Sequence, residues 1–131
     1  MGITNRGKAV MAKRFGGITT TGYEAMAYLA FGADSAVSTP FAKTQDNLAG
    51  TEHGREAAVV ASATTTDADD TVQFSASFSV SSSITAREVG IFNSAGSGVA
   101  GMGARTVLSA EKVLTNGSTY AVVYKVITSA A

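Results

Sequence analysis

The sequence has no cysteine and no tryptophan, and only one proline and one histidine among its 131 residues. Without cysteine, neither a disulfide nor a thiolate metal site can form. Charged residues are scarce at 15%, and the ten basic residues are balanced by ten acidic ones. A chain with no basic excess lacks the charge that binds nucleic-acid phosphates or anionic membranes, so we expect neither partner.

Long apolar runs are also missing. No stretch approaches the roughly 18 residues that cross a bilayer as a helix. The segment 1–17 has scattered charges and no apolar core of the kind found in secretory signals. What the chain does have is 45% hydrophobic residues, with about half of its residues being alanine, glycine, serine or threonine. This composition indicates one folded domain over 1–131, rich in β structure, that covers part of its surface with partners.

The segment 1–17 contains the one convincing helix pattern. From Ile3 to Phe15, a single stripe at helical spacing holds Ile3, Gly7, Val10, Met11, Arg14 and Phe15. Thr4 or Asn5 can cap the start, and the glycines at 16 and 17 can end the helix. Two interpretations stay open: the helix packs on its own domain, or it docks on a neighbouring subunit.

The rest of the chain predicts short strands separated by turns. The predicted strands are 24–31, 56–62, 71–80, 86–93, 99–108 and 118–127. The clearest is 71–80, where Val72, Phe74, Ala76, Phe78 and Val80 alternate with Thr71, Gln73, Ser75, Ser77 and Ser79. In 99–108, Gly101 and Gly103 indicate a bulge or a close backbone approach. Both faces of 118–127 are mostly apolar, so we expect both to be covered.

This spacing predicts a mainly β fold: an antiparallel β-sandwich, or a flattened barrel, with one N-terminal α-helix. A long loop is expected over 33–50, around Pro40. Long irregular segments in compact domains tend to be functional or ordered by a partner.

Groups of residues that could do chemistry are few. His53 is the one imidazole, and no G-x-S-x-G element presents a nucleophile, so we interpret His53 as a loop residue rather than part of a catalytic triad. Asp67, Asp69 and Asp70 resemble part of a calcium loop, but the glycine and distal glutamate of such a loop are missing, which favours an exposed acidic turn. We therefore expect no enzyme, no cofactor, no metal site and no small-molecule substrate.

Charged residues on the predicted strands indicate an ion pair. Arg87 and Glu88 are adjacent, so they point to opposite faces of their strand and one of them faces the core or a subunit contact. A buried charge must be paired. We expect Glu88 to pair with Arg105 or with Arg55, although an exposed rim pair is the alternative. The uncharged row from Thr71 to Ser79 fits either a subunit contact or an ordinary polar face.

The order of segments resembles small tailed-bacteriophage virion proteins and the N-terminal attachment region of phage tail-collar fibre proteins. The resemblance depends on two stretches. The first stretch is DNLAGTEHGRE, residues 46–56. Its Asp46, Leu48, Glu52 and Arg55 follow in the same order as in the family. REVGIF matches an E-x-G-[LI]-F strand with Glu88, Gly90, Ile91 and Phe92. Ala33 departs from a glycine pair that precedes the first stretch in that group.

The resemblance implies a virion protein, assembled in the host cytoplasm, that associates with itself and with other phage structural proteins. A tail, baseplate or fibre-attachment component is the first expectation, with a trimer as the expected oligomer. A capsid decoration protein on the phage head is the alternative. A small carbohydrate-binding β-sandwich module is the alternative outside the phage class.

Overall fold

The computed structural model describes residues 2–33 and 39–127. These residues form one α-helix and eight strands in two antiparallel sheets. In chain order the elements are β1 Gly2–Ile3, α1 Asn5–Phe15, β2 Tyr28–Ala33, β3 Thr51–Ala57, β4 Val59–Ala63, β5 Thr71–Ser79, β6 Ile84–Phe92, β7 Met102–Leu114 and β8 Thr119–Ile127. The five-stranded sheet has the order β1-β7-β6-β2-β3 and the three-stranded sheet the order β4-β5-β8. The predicted β-sandwich with one helix is confirmed, and the two sheets of the described chain do not close into a barrel.

The core lies between the two sheets. Its largest side chains include Phe31 from the first sheet and Phe78 from the second, whose rings meet edge to face with centroids 4.7 Å apart. The alternation predicted along β5 is confirmed, since Phe74, Phe78 and Val80 are buried. Thr71 was predicted to face solvent or an interface, but it is also buried. The β4–β5 turn lies against it, and the Thr71 hydroxyl bonds to Thr65 and Asp70 of that turn.

Several predicted boundaries were wrong for identifiable reasons. The strand predicted over 24–31 is β2, which begins at Tyr28 and runs on through Gly32, a residue paired on both sides with neighbouring strands. Ala33 therefore belongs to this strand rather than to the predicted loop, of which 34–38 lie outside the described residues. The strand predicted over 56–62 is two strands that belong to different sheets, because the chain crosses between the sheets at Ala58.

The helix starts later than predicted. Ile3 pairs with Ala104 in β1, and Thr4 is the N-cap, its hydroxyl accepting the Gly7 N–H at 3.0 Å and donating to the Met102 carbonyl at 2.6 Å. The first half of the predicted stripe docks on β7, with Gly7 and Val10 buried. The far end of the stripe does not dock on the described part of the chain, since Phe15 is 99% exposed.

We predict that Gly7→Ala weakens the docking of α1. A Cβ at Gly7 would overlap the Gly103 carbonyl oxygen, which belongs to the backbone of β7 and cannot rotate away. Overpacking of this kind costs about 1–3 kcal/mol of unfolding free energy, even though alanine is the better helix former. Denaturant unfolding followed by circular dichroism measures the loss.

The matched control is Gly16→Ala at the end of the same helix. Its Cβ would meet Ile18 at an ordinary distance of 3.7 Å. Equal stability of the two variants would contradict the close contact between α1 and β7.

Candidate functional site

A buried ion pair lies at the centre of the larger sheet. Arg105 Nε on β7 is 2.6 Å from Glu88 Oε2 on β6, and both side chains are fully buried. Glu88 also accepts the backbone N–H groups of Ala49 at 3.1 Å and Gly50 at 2.8 Å. Of the two partners that the sequence left open for Glu88, the structure shows Arg105.

The ion pair fixes the irregular segment 39–50 to the sheet. Arg105 Nη1 donates to the Thr39 carbonyl at 2.9 Å, near one end of the segment. Glu88 binds the other end through Ala49 and Gly50. A carboxylate and a guanidinium buried together therefore use their remaining hydrogen-bonding capacity to position this segment.

Leu48 joins the two sequence stretches on which the family resemblance depends. It is buried in a small second core with Ala30, Phe92 and Met102. A Cβ at Gly90 would lie 3.0 Å from Leu48, so the glycine provides the space that the leucine occupies. Ile91, the next residue of the same stretch, points the other way and is buried in the main core.

Arg55 covers this second core. Its guanidinium carbon lies 3.6 Å from the centroid of the Phe92 ring, and its side chain is fully buried. It donates to Glu52 at 3.2 Å, to the Ser94 carbonyl at 3.0 Å and to the Val99 carbonyl at 2.6 Å. One planar guanidinium therefore connects β3 to the loop after β6.

A bulge in β3 makes this geometry possible. His53 and Gly54 together face the single residue Phe31 of β2, and Gly54 has a φ of 91° that favours glycine. In a regular strand Glu52 and Arg55 would point to opposite faces, but the extra residue places both on one face. The sequence pattern did not predict the bulge. It also did not predict the part of β3 that precedes residue 56.

His53 was predicted to lie in a loop, and this was wrong. It lies on β3 and points into the sandwich, where its ring stacks on Phe31 with centroids 6.0 Å apart. Its Nε2 is buried and has no hydrogen-bond partner among the described residues. β3 was missed because an edge strand pairs through its backbone and needs no apolar alternation.

Asp46 connects the cluster to the N-terminal helix. Its carboxylate bonds to Arg6 Nε at 2.8 Å, and this hydrogen bond raises the pKa of Arg6. Its carbonyl accepts the N–H groups of Gly101 and Met102, each at 3.1 Å. The contacts of Asp46 thus hold α1, segment 39–50 and the start of β7 together.

The acidic turn between β4 and β5 is held by internal hydrogen bonds. The carboxylate of Asp70 accepts the N–H groups of Asp67, Thr65 and Thr66, which hold the pKa of Asp70 well below its usual range. Asp69 takes a positive φ of 57°. In the parts of the chain that the structure describes, no group of three or more histidine, aspartate and glutamate side chains could hold a metal ion.

Comparison with known proteins adds no relative. No family model, no curated protein and no solved structure matches the chain. Residues 2–33 and 39–127 include no helix long and apolar enough to cross a membrane.

The structure brings together most of the residues singled out in the sequence. Asp46, Leu48, Glu52 and Arg55 of the first stretch contact, directly or through one neighbour, Glu88, Gly90 and Phe92 of the second. Sequence reasoning missed the partners that act through main-chain atoms, at positions 39, 49, 50, 94 and 99. Every residue has such atoms, so no side-chain signal could have indicated them.

We predict that Glu88→Ala lowers the unfolding free energy by about 3–5 kcal/mol, because it leaves the buried Arg105 guanidinium without its carboxylate. Two backbone N–H groups of segment 39–50 lose their acceptor in the same change. The control is Glu56→Ala, which removes an exposed glutamate from β3 and should cost less than ~0.5 kcal/mol. Denaturant titration of both variants measures the difference, and a loss below ~1 kcal/mol for Glu88→Ala would contradict the buried pair.

We predict that Asp70→Asn lowers the melting temperature at neutral pH and has little effect in strong acid. Because folding lowers the pKa of Asp70, its stabilisation is complete above the usual aspartate pKa of about 4 and is lost as the pH falls below that value. The difference in melting temperature between the wild type and the variant should therefore shrink from neutral pH towards pH ~2.

Asp67→Asn is the matched control in the same turn, because the bonds described for Asp67 use its backbone. It should leave the melting temperature nearly unchanged at every pH. A difference in melting temperature between Asp70→Asn and the wild type that stayed constant with pH would contradict the role of the ionised Asp70 carboxylate as the acceptor.

Proposed function

We propose that this chain is a non-enzymatic structural component of a tailed-phage particle that associates with itself and with neighbouring particle proteins. The observation that carries the proposal is the convergence of the two family-like stretches around Glu88. Residues more than 30 positions apart in sequence form one cluster there. A resemblance in two short stretches gains weight when those stretches form a single structural unit.

The polar side chains of this cluster are used within it. Glu88 and Arg105 bond to each other and to segment 39–50, while Arg55 and Glu52 bond to each other and to the loop after β6. Groups held in this way fix geometry instead of approaching a substrate. This is the arrangement expected of a rigid assembly domain.

Exposed apolar side chains support a role in assembly. Phe15 at the end of α1 is 99% exposed, Val59 on β4 is 71% exposed and Val113 on β7 is 63% exposed. Single exposed apolar residues are ordinary, but a nearly fully exposed phenylalanine on a helix is the kind of residue that interfaces bury. The C-terminal end of α1 carries this side chain away from its own domain. For that end of the helix, docking on a neighbouring subunit is therefore favoured over packing on its own domain.

A tail, baseplate or fibre-attachment position is the first choice, because the resemblance is to the attachment region of collar fibres. Particles purified from the organism that encodes the chain provide the test. Mass spectrometry should detect the chain in intact particles, and gold-labelled antibody should mark the tail. Label on the head would assign it to capsid decoration, and absence from purified particles would reject the virion role.

A further inference from the structure

The outer edge of β8 is a long unpaired strand edge. All nine residues of β8 pair with β5 without a bulge, and no described strand lies on the other side. The Val80 N–H donates to the Ser118 carbonyl at 3.0 Å, in register with this pairing. Because hydrogen-bonded pairs alternate along an antiparallel ladder, the odd-numbered residues of β8 direct their N–H and C=O groups to the open edge.

This edge has few of the features that usually prevent strands from pairing between molecules. Natural edges are short, bulged, charged or interrupted by proline. Among the other edges here, β1 has two residues, β4 has five, and β3 contains a bulge and the exposed charge of Glu56. β8 has Lys125 as its only charge, and it exposes Val123 by 55% and Ile127 by 43%.

An apolar groove runs beside the same edge. Its volume is about 340 Å³, and it lies between Val89 and Leu108 of the larger sheet and Val122 and Tyr124 of β8. A strand added to β8 would extend the smaller sheet over this groove. The open edge and the groove would then be covered by one event, and the backbone groups of the edge specify that the occupant is an extended strand.

We propose that β8 pairs with β8 of a second copy, antiparallel, about a two-fold axis at Val123, to form a six-stranded sheet across two molecules. A residue of either parity can lie on the axis, since both choices place outward-facing odd-numbered residues opposite one another, so the register depends on how many residues pair and on charge. An axis at Val123 pairs all nine residues and places Lys125 opposite Ala121 of the second copy. An axis at Lys125 would place two ammonium groups face to face, which is destabilising.

This inference rests on the proposed self-association and names the surface that performs it. The contact is two-fold and joins two copies, so a three-fold ring of the kind expected from the sequence would use another surface. The pairing brings Val122 and Tyr124 of both copies side by side in one layer, so the two grooves merge into a single covered core. The odd-numbered face stays exposed on one side of the joined sheet.

A single engineered cysteine tests the register, because the chain has no cysteine of its own. Oxidised Val123→Cys should form a covalent dimer in high yield. Val59→Cys, which is even more exposed and lies on the far edge of the same sheet, should form no disulfide-linked dimer. A mixture of Ala121→Cys and Lys125→Cys should cross-link between the two variants in preference to within either one.

A pair of opposite charge changes at position 121 gives a second test. Because Ala121 is exposed, both variants should keep the wild-type fold. Ala121→Glu should tighten the dimer about fivefold and Ala121→Lys should weaken it by a similar factor, because two symmetry-related contacts with Lys125 change together. Sedimentation equilibrium measures both constants, and the difference should narrow in high salt.

A wild-type mass that stays at 13.2 kDa at all concentrations would overturn the β8 pairing, as would oligomers whose Val123→Cys form does not cross-link. Equal dissociation constants for the two charge variants would overturn the register. The particle test is separate: a chain that dimerises through β8 but is absent from particles keeps this inference and loses the proposed function. A chain that is found in particles but forms no β8 cross-links keeps the proposed function and loses this inference.

Discussion

Burial of the Glu88–Arg105 pair is the constraint on which the rest of the larger sheet depends. Removing two charges from water costs several kcal/mol per ion, and their mutual attraction offsets that cost only when the remaining hydrogen-bonding groups are also satisfied. Here the backbone of segment 39–50 supplies those partners. The segment must therefore stay on the sheet if the pair is to stay buried.

The second core follows from the position of that segment. Because residues 49 and 50 are bound to Glu88, Leu48 lies in the space above Gly90. Arg55 covers the cluster by packing on the Phe92 ring. Apolar packing and charge thus act on the same few residues. A shift of β6 against β7 would leave a buried charge without its partner, so the pair favours the observed register of these two strands.

Sequence patterns predicted the parts of the fold in which side chains alternate. β5 and β8 were predicted within one residue of their bounds, and the irregularity near Gly103 is a bulge opposite the end of β6. β3 escaped prediction because its edge position removes the need for an apolar face, and the bulge at Gly54 reverses the alternation that would separate Glu52 from Arg55. The second face of β8 was expected to be covered, whereas Val123 and Ile127 are exposed in the single chain.

The bond from Thr4 to Met102 has a consequence for how the chain acquires its structure. These two residues are 98 positions apart, and β1 and α1 have their docking site on β7, near the far end of the sequence. The helix α1 is synthesised before β7, so it can dock only after the residues of β7 have also left the ribosome. Docking of the N-terminal segment therefore requires closure of a loop that spans most of the described chain, and contacts of such large sequence separation slow folding.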